Sequence, residues 1–454
     1  MTTLPMLKIP SGSSANWVWT DPIAWHLFES EGSHFVFVAD GSQIFELDKE
    51  WFDRLRDSTI AGDDQLGLLA LLGIPFRARV TDEPLSSPQP RALSLAISQT
   101  CNLACTYCYA QEGSFGGTAK VMPRDVALRA VDHLLSQTTK GDRVNLSFMG
   151  GEPLIARKII HETVEYAQVR AADRGVRIGW SITTNGTLLT EEDAGFFDRH
   201  GFAVTVSLDG LESTHDRLRP HKSGAGTFST ILDNLKPLLR NQKQMQVTAR
   251  VTVTPQNLEL PETLAELISL GFYSVGFSPM LASPSGRDEM DAGSLQRMLD
   301  QMIGCGKVFE EHIMRGERFP FSNLATAISE IHRGTHRPYP CGAGAGYMGV
   351  SADGQLSACH RFVGNTEGAM GDLTVGIDHD KQSRWLSERH VHRQEPCRSC
   401  WARYLCGGGC HHEVLHRGRP ACHYIRGWLH YCLQAYGRLS ARAPHYFEGL
   451  RWPA

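Results

Sequence analysis

The chain predicts the α/β class: a parallel sheet of six strand–helix units, preceded by a small module and followed by a cysteine-rich region. Three observations carry this prediction. From residue 92 onward, six apolar runs at 93–97, 144–149, 176–183, 203–208, 247–253 and 273–279 alternate with stretches of helical periodicity such as 124–137 and 192–200. That alternation is the pattern of parallel strands joined by right-handed crossovers. Earlier, residues 34–38 and 43–47 alternate about Asp40-Gly41, a hairpin signal. Asp48 then stands where it can cap a helix that carries Trp51, Phe52 and Leu55 on one face. Finally, nine of the twelve cysteines fall at or after Cys305, which marks the last third of the chain as rich in ligands.

A length of 454 residues suits two or three domains. The polar, Pro- and Ser-rich stretch 82–90 reads as a linker, which gives expected domains at 1–85, 86–315 and 316–454. A net charge of −4 argues against a nucleic-acid or anionic-membrane surface. No apolar run is long enough to span a bilayer, and residues 1–10 lack the pattern of a signal segment. A cytoplasmic protein with no nucleic-acid or membrane partner is therefore expected. In a reducing compartment, twelve cysteines favour ligation over disulfides.

Cys101, Cys105 and Cys108 form C-x3-C-x2-C directly after the first apolar run. Three thiolates so spaced can hold three corners of a cubane iron–sulfur cluster and leave one iron open. A partial zinc site or three small buried hydrophobes are the alternatives. The loop after a first strand lies at the carboxyl end of a sheet, where α/β folds place their chemistry. Other strand ends carry polar residues and glycines: Gly150, Gly151 and Glu152 after the second, Thr184 and Asn185 at the third, Ser207 and Asp209 at the fourth. Glycine permits close backbone approach, although Asn-Gly and Asp-Gly are also favoured in plain turns. Arg250, in an otherwise apolar fifth strand, needs an anionic partner.

This arrangement, down to the aromatic Tyr107 before the third cysteine, resembles the radical S-adenosylmethionine (SAM) superfamily. The resemblance implies a partial (β/α)6 barrel and a 4Fe-4S cluster on Cys101, Cys105 and Cys108. It further implies that SAM chelates the open iron and is cleaved reductively to a 5'-deoxyadenosyl radical, so that the cofactor carries the difficult chemistry. By the same resemblance Tyr107, Gly150, Gly151, Glu152, Thr184, Asn185, Ser207, Asp209 and Arg250 surround SAM. Gly150 and Gly151 would face its ammonium and Arg250 its carboxylate.

Toward the carboxyl terminus stand Cys341, Cys359 five residues after Gly354, then Cys397-x2-Cys400-x5-Cys406-x3-Cys410, and Cys422. A zinc ribbon from Cys397, Cys400, Cys406 and Cys410 is one reading of such spacing. The complete pattern resembles the SPASM extension of peptide maturases, which implies two auxiliary 4Fe-4S clusters. Cys341, Cys359 and Cys410 would hold the first, and Cys397, Cys400, Cys406 and Cys422 the second, for three clusters in all. Relatives have another cysteine soon after the first of these, and this chain does not. That departure implies an open iron, to be filled by a substrate thiolate or by a side chain such as His360. Cys432 competes with Cys422 as the last ligand; Cys422 is preferred because it begins a plausible helix, so Cys305 and Cys432 read as ordinary buried thiols, and His411 and His412 as surface or packing residues.

The amino-terminal pattern resembles the small winged-helix-like module with which such enzymes capture a leader peptide as an added strand; a structural cap is the alternative. If it captures peptide, deleting residues 1–85 is expected to spare SAM cleavage. Residues 358–364 and 400–411 resemble the thioether-forming maturases of quinohemoprotein amine dehydrogenase, and His360 stands where sulfatase-activating relatives have aspartate. The implied reaction joins cysteine sulfur to an Asp or Glu methylene in a peptide or small cysteine-rich protein, such as that dehydrogenase's small subunit. A donor such as flavodoxin or ferredoxin would supply electrons. Formylglycine formation, carbon–carbon crosslinking and a non-catalytic iron–sulfur electron carrier are the rivals. No residue stands out as the general base.

Overall fold

A computed structural model describes residues 7–8, 25–57, 69–74 and 80–450. Most of the 1–10 segment lies outside the described residues, as do parts of the 1–85 module. The amino-terminal hairpin is present: β3 (Ser33–Val38) pairs antiparallel with β4 (Gln43–Leu47), and β2 (Trp25–Ser30) pairs with β3. On the outer side of β4, β1 (Leu7–Lys8) pairs in parallel. Asp48 caps the helix Lys49–Asp57, its Oδ1 accepting from the Trp51 amide at 2.8 Å.

Strand β3 shows why this module is fastened to the rest of the molecule. Successive side chains of a strand point to opposite faces. Val36 and Val38 face a small core with Phe45, Leu47, Phe52 and Leu55, while Phe35 and Phe37 enter the main core of the protein.

All six apolar runs are strands: β5 (Ala92–Gln99), β7 (Arg143–Gly150), β8 (Arg177–Thr184), β9 (Ala203–Ser207), β10 (Gln246–Val253) and β11 (Ser274–Pro279). They pair in parallel in the order β11-β10-β9-β8-β7-β5. Their interiors are nearly continuous apolar surface: Leu93, Leu95, Ile97, Leu146, Phe148, Val247 and Val251 are fully buried, as parallel strands covered by helices require. The crossovers are helical, including Arg124–Ser136, Arg157–Arg174, Glu191–His200, Phe228–Arg240 and Leu260–Ser269. Glu191–His200 opens on a capping box of Thr190 and Asp193 and closes on Gly201 at φ 64°.

The sheet continues where the sequence offered no strand signal. Short β6 (Lys120–Val121) pairs antiparallel with β5. On the other edge of β5, β12 (Tyr347–Val350) adds in parallel, followed by β13 (Gln355–Ser357), β14 (Ala369–Asp372) and β15 (Gly376–Ile377) in antiparallel order. The cysteine-rich region thus extends the barrel sheet itself. These strands are two to four residues long, too short for a periodic signal. Helix Cys422–Arg442 packs on Ala292–Met314, Ser322–His332 and β2. Arg438 and Glu310 pair across it at 2.6 Å. Among the described residues, no helix is long and apolar enough to cross a membrane.

Candidate active site

The loop after β5 carries Cys101, Cys105 and Cys108, all free and half-buried. Two donors point at the first sulfur: the Leu103 amide lies 3.4 Å from Cys101 Sγ and Asn185 Nδ2 lies 3.7 Å away. Burial pushes the Cys105 thiol up to about 12, opposed by the nearby Arg219 cation.

Gly150 and Gly151 end β7 against this loop. A Cβ at Gly150, whose φ is 147°, would stand 2.1 Å from the Ser98 carbonyl oxygen, and one at Gly151 would stand 2.2 Å from that of Thr100. The glycines are thus required by the chain's own backbone, whose close approach sets the path of the cysteine loop. The Gly151 and Glu152 amides donate to Ser98 and Thr100 at 2.7 and 2.9 Å, so what this segment offers an ammonium is carbonyl oxygen. Glu152 is fully buried and accepts from Leu154 N (3.0 Å), Thr184 Oγ1 (2.7 Å) and Asn185 N (2.7 Å). Burial pushes its carboxyl up to about 7 against those donors. Glu152 therefore ties the ends of β7 and β8 together, and Asn185 is oriented by it toward Cys101 and toward Asn102 Oδ1 at 2.9 Å.

Asp209 is also fully buried and committed to the protein. Its Oδ1 accepts from Thr252 N at 2.8 Å, and its Oδ2 accepts from the Tyr107 hydroxyl and lies 3.5 Å from Arg219 Nη1. Arg219, absent from the sequence-derived set, donates to Tyr107 Oη at 2.7 Å. Its only sequence signal is an arginine ten residues beyond Asp209. Ser207 ends β9 in register with Arg250 on β10. Arg250 reaches Ser278 Oγ at 2.6 Å, and Glu413 is near enough to act on its charge.

Seven of the remaining nine thiols fall into two groups. Cys341 is exposed, and Cys359 is pushed up to about 12 by burial and by its neighbours Cys410 and Cys341. Arg361 Nη1 lies 3.8 Å from Cys410 Sγ and 2.8 Å from Glu413. Cys397 is pushed up to about 11, mainly by burial, with Cys406, Cys422 and Cys400 as its thiol neighbours. Cys397, Cys400, Cys406, Cys410 and Cys422 line one cavity. Cys432 sits fully buried in the core of its helix, and Cys305 is buried likewise. His360 accepts or donates to Tyr347 Oη at 2.6 Å, and burial lowers its pKa to about 4. An open cleft lies between the stretch after Cys108 and the stretch after Cys359, lined by Tyr109, Phe115, Ser283, Arg361, His412 and Arg417.

Among the described residues, no three His, Cys, Asp or Glu side chains converge on a single metal-ion position. Cubane ligands hold separate irons and stand farther apart than the ligands of one zinc ion. Grouped free thiols with N–H donors aimed at Cys101 and Cys410 fit cluster-bound thiolates, whose hydrogen bonds tune them.

Residues 95–268 match the radical SAM superfamily. The serine-type anaerobic sulfatase-maturating enzyme of Klebsiella pneumoniae is 28% identical over 341 residues, spanning 72% of this chain and 83% of that enzyme. The enzyme of the same description from Bacteroides thetaiotaomicron is 31% identical over 366 residues, spanning 74% and 86%. Among solved structures, anSMEcpe with bound AdoMet and Kp18Cys peptide shares the fold with a TM-score of 0.63 at 20% identity, covering 78% of this chain and 99% of that one.

Proposed function

The chain belongs to the radical SAM superfamily, as a homologue of the anaerobic sulfatase-maturating enzymes, and from that premise we propose that it joins cysteine sulfur to Asp or Glu methylene carbon in a peptide or small protein. The observation that carries this reading is the three-thiol group. Cys341, Cys359 and Cys410 neighbour one another, and all twelve cysteines are described, with the others assigned to different groups or buried in helices. A cluster held there has a position free of chain cysteine, which a substrate thiolate can take, lowering its pKa and fixing its place.

Cys101, Cys105 and Cys108 would hold the SAM cluster, Cys341, Cys359 and Cys410 the first auxiliary cluster, and Cys397, Cys400, Cys406 and Cys422 the second. When bound, these groups and SAM supply hydrogen-atom abstraction from carbon and an outlet for one electron. Arg250, held by Ser278, pairs with the SAM carboxylate. Asn185 donates to the Cys101 sulfur, and Glu152 holds Asn185 in place. The cleft lined by Phe115, Ser283, Arg361, His412 and Arg417 admits the peptide. One C–H and one S–H bond break and one C–S bond forms; a hydrogen atom, a proton and an electron leave.

Sulfatase-type oxidation to formylglycine is the second reading, favoured by what the curated homologues are named for. The presence of His360, held by Tyr347 beside Cys359, supports the thioether reading instead. Mass spectrometry of a peptide carrying Cys and Asp, after anaerobic turnover with SAM and a flavodoxin or ferredoxin donor, separates them. A thioether retains sulfur, loses two hydrogens and blocks alkylation. Loss of sulfur from the cysteine would overturn the proposal. With Cys replaced by Ser, deuterium at the Asp methylene should still enter 5'-deoxyadenosine, but no crosslink should form.

A further inference from the structure

The loop that carries the three cysteines is paired along its length with a segment remote in sequence. Residues 102–106 run antiparallel to 218–222: the Ala104 amide donates to Pro220 O at 2.9 Å, Thr106 N to Leu218 O at 3.1 Å and Lys222 N to Asn102 O at 3.1 Å, with a bridge between Leu103 and His221. This register sets Arg219 opposite Cys105. Its side chain turns inward, Nη1 donating to Tyr107 Oη at 2.7 Å and lying 3.5 Å from Asp209 Oδ2. The residue is only 8% exposed, and its Nε is buried without a hydrogen-bond partner. A guanidinium so desolvated acts on nearby charge with little screening by solvent.

We infer that Arg219 is a positioning residue for the SAM cluster: it clamps the Cys105–Cys108 loop through Tyr107 and Asp209 and sets the cluster's reduction potential with a buried positive charge beside Cys105. Charge and hydrogen bonding around the ligating sulfurs are the levers by which a protein tunes such a couple. A buried cation favours the more negative, reduced cluster. Asp209 limits that effect by offsetting the charge, and the Thr252 amide holds Asp209 in place.

The inference rests on Cys101, Cys105 and Cys108 as cluster ligands, so the test begins with their joint replacement by alanine. Loss of the SAM-responsive EPR signal in that variant secures the ligand set independently of Arg219; its retention would refute the ligand set instead. The cluster midpoint is then measured by EPR-monitored redox titration of the full chain with SAM. Arg219→Gln should make the midpoint more negative, by about tenfold in the reduced-to-oxidised ratio, or about 59 mV for a one-electron couple. Arg219→Lys should stay near wild type. Asp209→Asn should shift the midpoint the other way, which keeps the inference testable if Arg219→Gln does not fold, and the double variant should return toward wild type. An unchanged midpoint with full iron in Arg219→Gln and Asp209→Asn overturns the inference. So does equal loss of iron and heat stability in the Lys and Gln variants, the signature of a purely structural arginine.

Discussion

Asp40, at the tip of the amino-terminal hairpin, forms an ion pair with Arg403 at 2.7 Å, and both side chains are less than a tenth exposed. Arg403 lies between Cys400 and Cys406. In the same loop Trp401 is stacked on His26 of β2, with ring centroids 3.9 Å apart and planes within 10°, and meets the edge of Phe37. The amino-terminal module therefore grips the loop that supplies two of the carboxyl-terminal thiols.

Removing one partner of a buried pair leaves an uncompensated charge, which costs about 3–5 kcal/mol. Asp40→Ala should lower the denaturation midpoint accordingly and reduce iron bound at the carboxyl terminus. Deleting residues 1–85 should do both more strongly, because Arg403 and Trp401 lose all these partners. Iron analysis and chemical denaturation check this. The hairpin pattern by itself led to the expectation that the same deletion leaves SAM cleavage largely intact while weakening peptide capture.

Gly151→Ala should lose the iron of the cluster proposed on Cys101, Cys105 and Cys108. Its Cβ would fall 2.2 Å from Thr100 O and 2.9 Å from the Cys101 amide, both backbone atoms that cannot yield without moving the cysteine loop. Iron content and the SAM-responsive EPR signal report the loss, while the signals of the other thiol groups should remain.

Cys422→Ala should remove one cluster's iron from a wild-type content of about twelve atoms, whereas Cys432→Ala should keep it all. Cys422 lines the cavity with Cys397, Cys400 and Cys406, while Cys432 is fully buried, its thiol pushed well above the usual range by burial and by Glu310. The Cys432→Ala change should cost stability through a small cavity alone. Zinc in place of iron at these thiols would refute both expectations.

His215 is buried between the Asp209 amide, 3.2 Å from its Nδ1, and Thr227 Oγ1, 3.1 Å from its Nε2. Burial, then Arg219, lowers its pKa from 6.5 to about 3. The folded state therefore binds fewer protons than the unfolded state between those values, so stability present above pH 6.5 is lost as pH falls toward 3. His215→Asn keeps an acceptor for the Asp209 amide and cannot titrate. It should cost about 1 kcal/mol at pH 7.5 and flatten the acid limb of a urea-midpoint profile.

The six barrel strands were legible because each is a continuous apolar run bounded by polar turns, and the cysteine triplet because its spacing is local. The same holds for the Asp48 helix cap and for the hairpin about Asp40. Glu152, Thr184, Asn185 and Asp209 were singled out by position, but their partners were not: the carboxylates of Glu152 and Asp209 are held by amides and hydroxyls from other segments, and such side-chain hydrogen bonds leave no periodic trace in the chain. Arg219 was missed for that reason, since its meaning depends on a ribbon formed between segments more than a hundred residues apart.

Local physics thus determined by sequence alone which segments are the six barrel strands and where the thiols cluster along the chain. Only the tertiary structure decided that β12 extends the barrel sheet, that Cys422 faces the other thiols while Cys432 faces the core, and that the hairpin seats Asp40 on Arg403. Those outcomes are set by long-range packing. The phase of helix Cys422–Arg442 and the two faces of β3 choose their neighbours only when every other element is in place.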